Sequence, residues 1–122
     1  MLASVLSADE ASAAAAGGAC VIDVKNPFEG ALGAPLPSVI RKIRSVTPGD
    51  LHVSAALGDM PCLPGTAALA ALGAASAGAT ILKAGLYGPS NETEAFDLLA
   101  AVTGTLENFF PDTVLVAGAY AD

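Results

Sequence analysis

Short apolar runs alternate with longer amphipathic or alanine-rich segments along the chain. Short runs bounded by glycine, proline or polar residues are typical of buried strands, and the longer segments between them are typical of helices. The pattern predicts strands at 2–5, 20–25, 51–57, 80–86 and 114–120. It predicts a helix from a Ser7–Glu10 capping box to about 16, and helices at 36–46, 66–77 and 92–110, the last broken or frayed near Gly104. The loop 26–35 is too rich in proline and glycine to be regular.

This order of strands and helices predicts an α/β fold with a parallel sheet and right-handed crossovers. The run SVLSADE lacks the glycines that let a pyrophosphate approach a helix N-terminus, and the sequence has no Walker motif. A nucleotide-binding doubly wound sheet is therefore disfavoured. We expect a single domain, residues 1–122, of the (β/α)8 TIM-barrel type, in which this chain supplies about five strands of a partial barrel.

The net charge of the chain limits the kinds of molecule that it is expected to bind. The chain has 5 Lys+Arg against 12 Asp+Glu, a net charge of -7, and is 53% hydrophobic. Nucleic acids and anionic membranes need clustered basic side chains, so neither is expected as a partner. The longest weakly apolar stretch is interrupted by Gly73 and Gly78, which favours a surface helix followed by a strand over a membrane span. We expect a cytoplasmic protein in which Cys20 and Cys62 stay reduced.

Two lysines stand apart from the other basic residues, because each ends an apolar, strand-like run. Counted from Gly18 and Gly78, Asp23 and Lys83 occupy the same step of their strands, and Lys25 lies one step further along the same face. The second and fourth strands of a barrel belong to the same layer set, and barrel active sites lie at the carboxyl ends of the strands. Asp23, Lys25 and Lys83 are therefore predicted to converge there.

These residue types support a specific chemistry. A lysine held among apolar neighbours and near a second cation gives up its proton more readily and can then attack an aldehyde or ketone to form a Schiff base. An adjacent carboxylate can orient the amine or move protons. The alternative is a buried Asp–Lys ion pair with a structural role and no catalytic one. The pattern alone does not decide between the catalytic and the structural interpretation.

Five further residues are candidate substrate ligands because they lie at or just beyond predicted strand ends: Ser4, Asn26, Gly58, Asp59 and Gly88. Turn chemistry is the competing interpretation, and for Asp59 and the two glycines it is favoured. The sequence has no Cys/His cluster and only one histidine, so we expect no metal site.

Four runs resemble the (5-formylfuran-3-yl)methyl phosphate synthases: IDVKNPFEGALGAP, LHVSAALGDMPCLPGT, GATILKAGLYG and VLVAGAYAD. The resemblance covers essentially the whole chain. It implies an aldolase-type barrel, a carbon–oxygen lyase, that condenses two molecules of glyceraldehyde 3-phosphate with loss of water and phosphate. The product is 4-(hydroxymethyl)-2-furancarboxaldehyde phosphate, used for methanofuran-type cofactors in methanogens and methylotrophic bacteria. By resemblance Lys25 is the Schiff-base lysine, Lys83 the proton acceptor and Asp23 their acidic helper, and no metal or organic cofactor is implied.

The chain departs from a complete barrel, which has eight strands and roughly 250 residues. We therefore expect a truncated chain that associates into a homo-oligomer through open sheet edges. Two alternatives to the synthase stay open. One is another Schiff-base aldolase on the same fold, and the other is a non-catalytic partial barrel that self-associates.

Overall fold

The computed structural model describes residues 1–119, and its centre is a five-stranded, entirely parallel sheet. The strands lie side by side in chain order: β1 (Leu2–Val5), β2 (Val21–Val24), β3 (His52–Asp59), β4 (Ile81–Gly85) and β5 (Val114–Gly118). This confirms the α/β fold, the parallel sheet and all five strands. Tyr120, at the end of the predicted fifth strand, lies outside the described residues.

Four α-helices alternate with these strands: α1 (Ala8–Ala16), α2 (Pro37–Val46), α3 (Pro64–Ser76) and α4 (Glu92–Phe109). The capping prediction for α1 is confirmed, since the Glu10 backbone N–H donates to the Ser7 hydroxyl. The predicted break near Gly104 is wrong. Helix α4 runs through it, because Leu98, Val102 and Leu106 bury one continuous face. No described helix is both long enough and apolar enough to cross a membrane.

One face of the sheet packs against the helices and forms the core. The strand residues on this face are fully buried. Helix α3 packs closely on the sheet through two alanines that are also fully buried, Ala67 and Ala71. The buried strand residues are Ile22, Val24, Val53, Ala55 and Leu82. Since strand side chains alternate between faces, the residues between these belong to the opposite, concave face.

The concave face is polar at its centre and apolar at its two edges. Leu2 on β1 and Val114 and Val116 on β5 are about half exposed there, at 53%, 54% and 45%. Within residues 1–119, β1 and β5 each pair with a single neighbouring strand. Both outer strands therefore offer unpaired backbone groups next to uncovered apolar side chains.

The loop after β2 is more regular than its composition predicted. It contains a short 3₁₀ helix, Pro27–Glu29, capped by the Asn26 side chain, which accepts from the Phe28 backbone N–H and donates to Glu29. The Asn26 backbone N–H donates to the carbonyl of Gly33 at 2.8 Å, which closes the loop on itself. The loop is thus a compact structure fixed at the end of β2.

Replacing Gly33 with Ala should open this loop and lower the free energy of unfolding by about 2 kcal/mol, the range for steric overpacking. The added Cβ would overlap the carbonyl oxygen of Asn26, which is backbone and cannot move aside. Gly104→Ala is the matched control: no atom lies within 4 Å of its Cβ position, and it sits inside α4. That control should stabilise by about 0.5–1 kcal/mol in urea unfolding. Equal stabilities for the two variants would contradict the loop geometry.

Candidate active site

A buried carboxylate lies at the centre of the concave face. Asp23 is 2% exposed, and its Oδ1 atom lies 2.7 Å from Lys83 Nζ in an ion pair. The Ser54 hydroxyl donates to the same oxygen at 2.7 Å, and the Ser4 hydroxyl donates to Oδ2 at 3.1 Å. A buried charge is tolerated when it is paired and hydrogen-bonded, and Asp23 meets both conditions.

The sheet register explains this arrangement. Ser4, Asp23 and Ser54 are direct partners on β1, β2 and β3, so their side chains form one row across the sheet. Lys83 pairs with Ala56, one same-face step beyond Ser54. The lysine stem reaches back across β3 to the carboxylate, over the roughly 10 Å between alternate strands. Asp23 and Lys83, placed on alternate strands by the sequence, are thus in contact.

Lys25 occupies a different environment. It follows the last residue of β2 and is half-buried in a cleft of about 230 Å³. The cleft is formed with Leu6, Asn26, Phe28, Pro35, Leu36 and Val39. Within residues 1–119 its ammonium has no ion-pair or hydrogen-bond partner, in contrast to that of Lys83. The structure therefore shows direct contact between two of the three residues predicted to converge, Asp23 and Lys83. Lys25 lies beside mostly apolar cleft residues, and its convergence with the pair around a substrate stays a prediction.

The weaker candidates have structural roles that are visible in the fold. Gly58 has φ +93° where the β3–β4 register shifts, and a Cβ on Gly88 would collide with the Met60 carbonyl. The carboxylate of Asp59 lies over Gly85, where a Cβ would strike it. These three positions have roles in a turn or in close packing, Asn26 caps the 3₁₀ helix, and Ser4 donates a hydrogen bond to Asp23. Contact of any of them with substrate stays a prediction.

Sequence reasoning missed Ser54. Its signal was a single hydroxyl inside the apolar run LHVSAAL, on the strand predicted to lie beside Asp23. A buried serine in such a run must find a polar partner, since an unsatisfied hydroxyl in the interior is costly. Knowing the register would have identified the partner as Asp23.

Cys62 is a free, half-buried cysteine, and a cysteine thiol is a possible alternative nucleophile. Partial burial raises the pKa of the Cys62 thiol. The Glu94 carboxylate, which accepts a hydrogen bond from the thiol, and the nearby Asp97 carboxylate raise it further. Only the thiolate is a strong nucleophile. These carboxylates therefore keep Cys62 in its unreactive form near neutral pH.

Comparison with known proteins adds independent findings. The sequence profile of the family described as 4-HFC-P synthase matches residues 1–122. The chain is 49% identical over its whole length to a (5-formylfuran-3-yl)methyl phosphate synthase of Methanocaldococcus jannaschii, and 48% identical to one of Methanobrevibacter smithii. It covers 52% of each of these relatives, so the chain spans about half of their length.

Among solved structures, the chain resembles one from Burkholderia cenocepacia that is classed as a phosphonomutase, with a TM-score of 0.78 at 20% identity. The match covers 97% of this chain and 52% of that one. At this level of identity the similarity concerns the fold alone. It agrees with the TIM-barrel architecture predicted from the sequence.

Proposed function

The chain belongs to the 4-HFC-P synthase family, and from that membership we propose that the protein containing it makes (5-formylfuran-3-yl)methyl phosphate. The proposed reaction condenses two molecules of glyceraldehyde 3-phosphate with loss of water and phosphate, in the cytoplasm, toward a methanofuran-type cofactor. The structural observation that supports a Schiff-base route is the difference in pairing between the two lysines. Lys83 is ion-paired with a buried carboxylate, and Lys25 has no such partner within residues 1–119.

Lys25 is assigned the nucleophilic step. The nucleophile must be free to approach a carbonyl carbon, and no ion pair or hydrogen bond within residues 1–119 holds the Lys25 amine in place. The free amine adds to the carbonyl carbon of one triose phosphate, the carbon–nitrogen bond forms, and the oxygen leaves as water. The resulting iminium withdraws electrons from the adjacent carbon, so that a base can remove its proton. The enamine carbon then attacks the aldehyde of the second triose.

Lys83 and Asp23 are assigned the proton transfers. As an ion pair, Lys83 begins as a proton donor, and Asp23 holds its ammonium at a fixed place. Once Lys83 has given a proton to the departing oxygen it is neutral, and it can accept the proton that leaves the carbon next to the iminium. The lysine side chain is 22% exposed while Asp23 is 2% exposed, so Lys83 is the member of the pair that a substrate can reach.

Product analysis tests the proposal. The full-length protein incubated with glyceraldehyde 3-phosphate alone should release inorganic phosphate together with a furan aldehyde phosphate, identified by its mass and ultraviolet absorbance. A different condensation product from the same substrate would favour the other Schiff-base aldolase. Failure to consume any triose phosphate would favour a non-catalytic barrel.

We further propose that the 122-residue chain self-associates. The support is the pair of open sheet edges, where Leu2, Val114 and Val116 are uncovered beside unpaired strand backbone. Light scattering of the purified 122-residue chain should give a mass at least twice that of one chain. A monomer at micromolar concentration would contradict this proposal without affecting the proposed reaction.

A further inference from the structure

The hydrogen-bonding capacity of Asp23 is almost fully used. An ionised carboxylate offers about four lone-pair sites. Donors occupy three of these sites: Lys83 and Ser54 donate to Oδ1, and Ser4 donates to Oδ2. No buried side-chain nitrogen or oxygen in the described part of the chain lacks a partner. The three donors therefore share one carboxylate, and each limits where the others can lie.

Ser54 occupies a special position in this set. It is 1% exposed in the middle of β3, the strand that separates Asp23 from Lys83. Its hydroxyl and the lysine ammonium share one oxygen atom, each at 2.7 Å. As long as Ser54 holds Oδ1, the carboxylate cannot turn about its bond to Cβ without breaking a buried hydrogen bond. The oxygen that receives Lys83 is thus fixed in space.

We propose that Ser54 is a positioning residue, which fixes the Asp23 carboxylate so that Lys83 is held at the place where it exchanges protons with the substrate. The catalytic part of this inference rests on the proposed function. We expect Ser54 itself to make no contact with substrate, because it is 1% exposed. Ser4 holds the other oxygen at the longer distance of 3.1 Å, so it restrains the carboxylate less and does not compete for the lysine's oxygen.

The test compares Ser54→Ala, which removes the hydroxyl, with Ser54→Thr, which keeps it. Ser38→Ala, an exposed serine on α2, is the matched control. In the full-length protein, Ser54→Ala should lower kcat about tenfold, since a hydrogen bond to a charged group is lost, and leave KM within about twofold. Ser54→Thr should recover most of kcat, and the control should match the parent. A Thr variant no better than Ala, or an unchanged kcat in both, overturns the proposal.

A second readout does not depend on turnover. Reductive methylation followed by peptide mass mapping gives the labelling rate of Lys83 relative to that of Lys25 in the same molecule. Ser54→Ala should free the Lys83 ammonium and raise this ratio several-fold, whereas Ser54→Thr and Ser38→Ala should leave it unchanged. An unchanged ratio in Ser54→Ala overturns the proposal. If the parent protein makes no furan product, the proposed function fails while the labelling ratio still decides whether Ser54 fixes the pair.

Discussion

Replacing Lys25 with Met should abolish furan product formation and lower turnover on the order of 10³-fold or more, as expected when a covalent nucleophile is removed. Borohydride added during turnover should reduce the Schiff base and attach a triose phosphate to Lys25 of the parent protein, found by peptide mass mapping. The Met variant should show no adduct. Its stability should change little, because the Lys25 ammonium has no ion-pair or hydrogen-bond partner within residues 1–119.

Lys42 provides the matched control. It is an exposed lysine on α2, in the helical layer on the other side of the sheet from Asp23. Lys42→Met should retain full turnover and the adduct at Lys25. An adduct that forms at Lys83 in the parent protein would reverse the assigned roles of the two lysines. A fully active Lys25→Met variant would exclude the Schiff-base mechanism at this residue.

Replacing Asp23 with Asn should destabilise the protein by about 3 kcal/mol, the low end of the range for breaking a buried ion pair. Asn keeps the shape of the side chain but leaves the Lys83 ammonium without a counter-charge, and it presents an NH₂ group to one of two hydroxyl donors. The partial exposure of Lys83 keeps the loss at that low end, since the ammonium can turn toward water. Urea unfolding at neutral pH measures the change.

A double-mutant cycle separates the ion pair from general packing. Asp23→Asn combined with Lys83→Met should lose less stability than the sum of the single variants, because the second change removes the charge that the first left unpaired. Asp112→Asn, an exposed acid in the turn before β5, is the control and should stay within about 0.5 kcal/mol of the parent. Strict additivity of the Asp23 and Lys83 variants would show that the pair is not coupled.

The sequence predicted the fold well because the strands are short, apolar and separated by clear turn residues. It also predicted that Asp23 and Lys83 lie on the same face of alternate strands, because side chains along a strand alternate between the two faces of the sheet. It did not predict that Lys25 has no ion pair or hydrogen bond with either residue within residues 1–119. The chain leaves the strand after Val24 and enters a compact loop whose shape depends on the Asn26–Gly33 hydrogen bond, and a strand pattern does not describe such a loop. Ser54 was missed because its partner depends on the register between β2 and β3, and the sequence of either strand alone does not determine that register.

We expect the chain-order sheet also to determine when the polar cluster can form during folding. Each strand pairs with the next one along the chain, so the sheet can grow by adding one strand and one helix at a time. When β1, β2 and β3 have associated, Asp23 has both of its serine partners but no cation. Lys83 arrives only with β4, about half the chain later than Asp23. We therefore expect the first three strands to depend on the fourth for a counter-charge to the buried carboxylate, so that growth of the sheet is linked to completion of the ion pair.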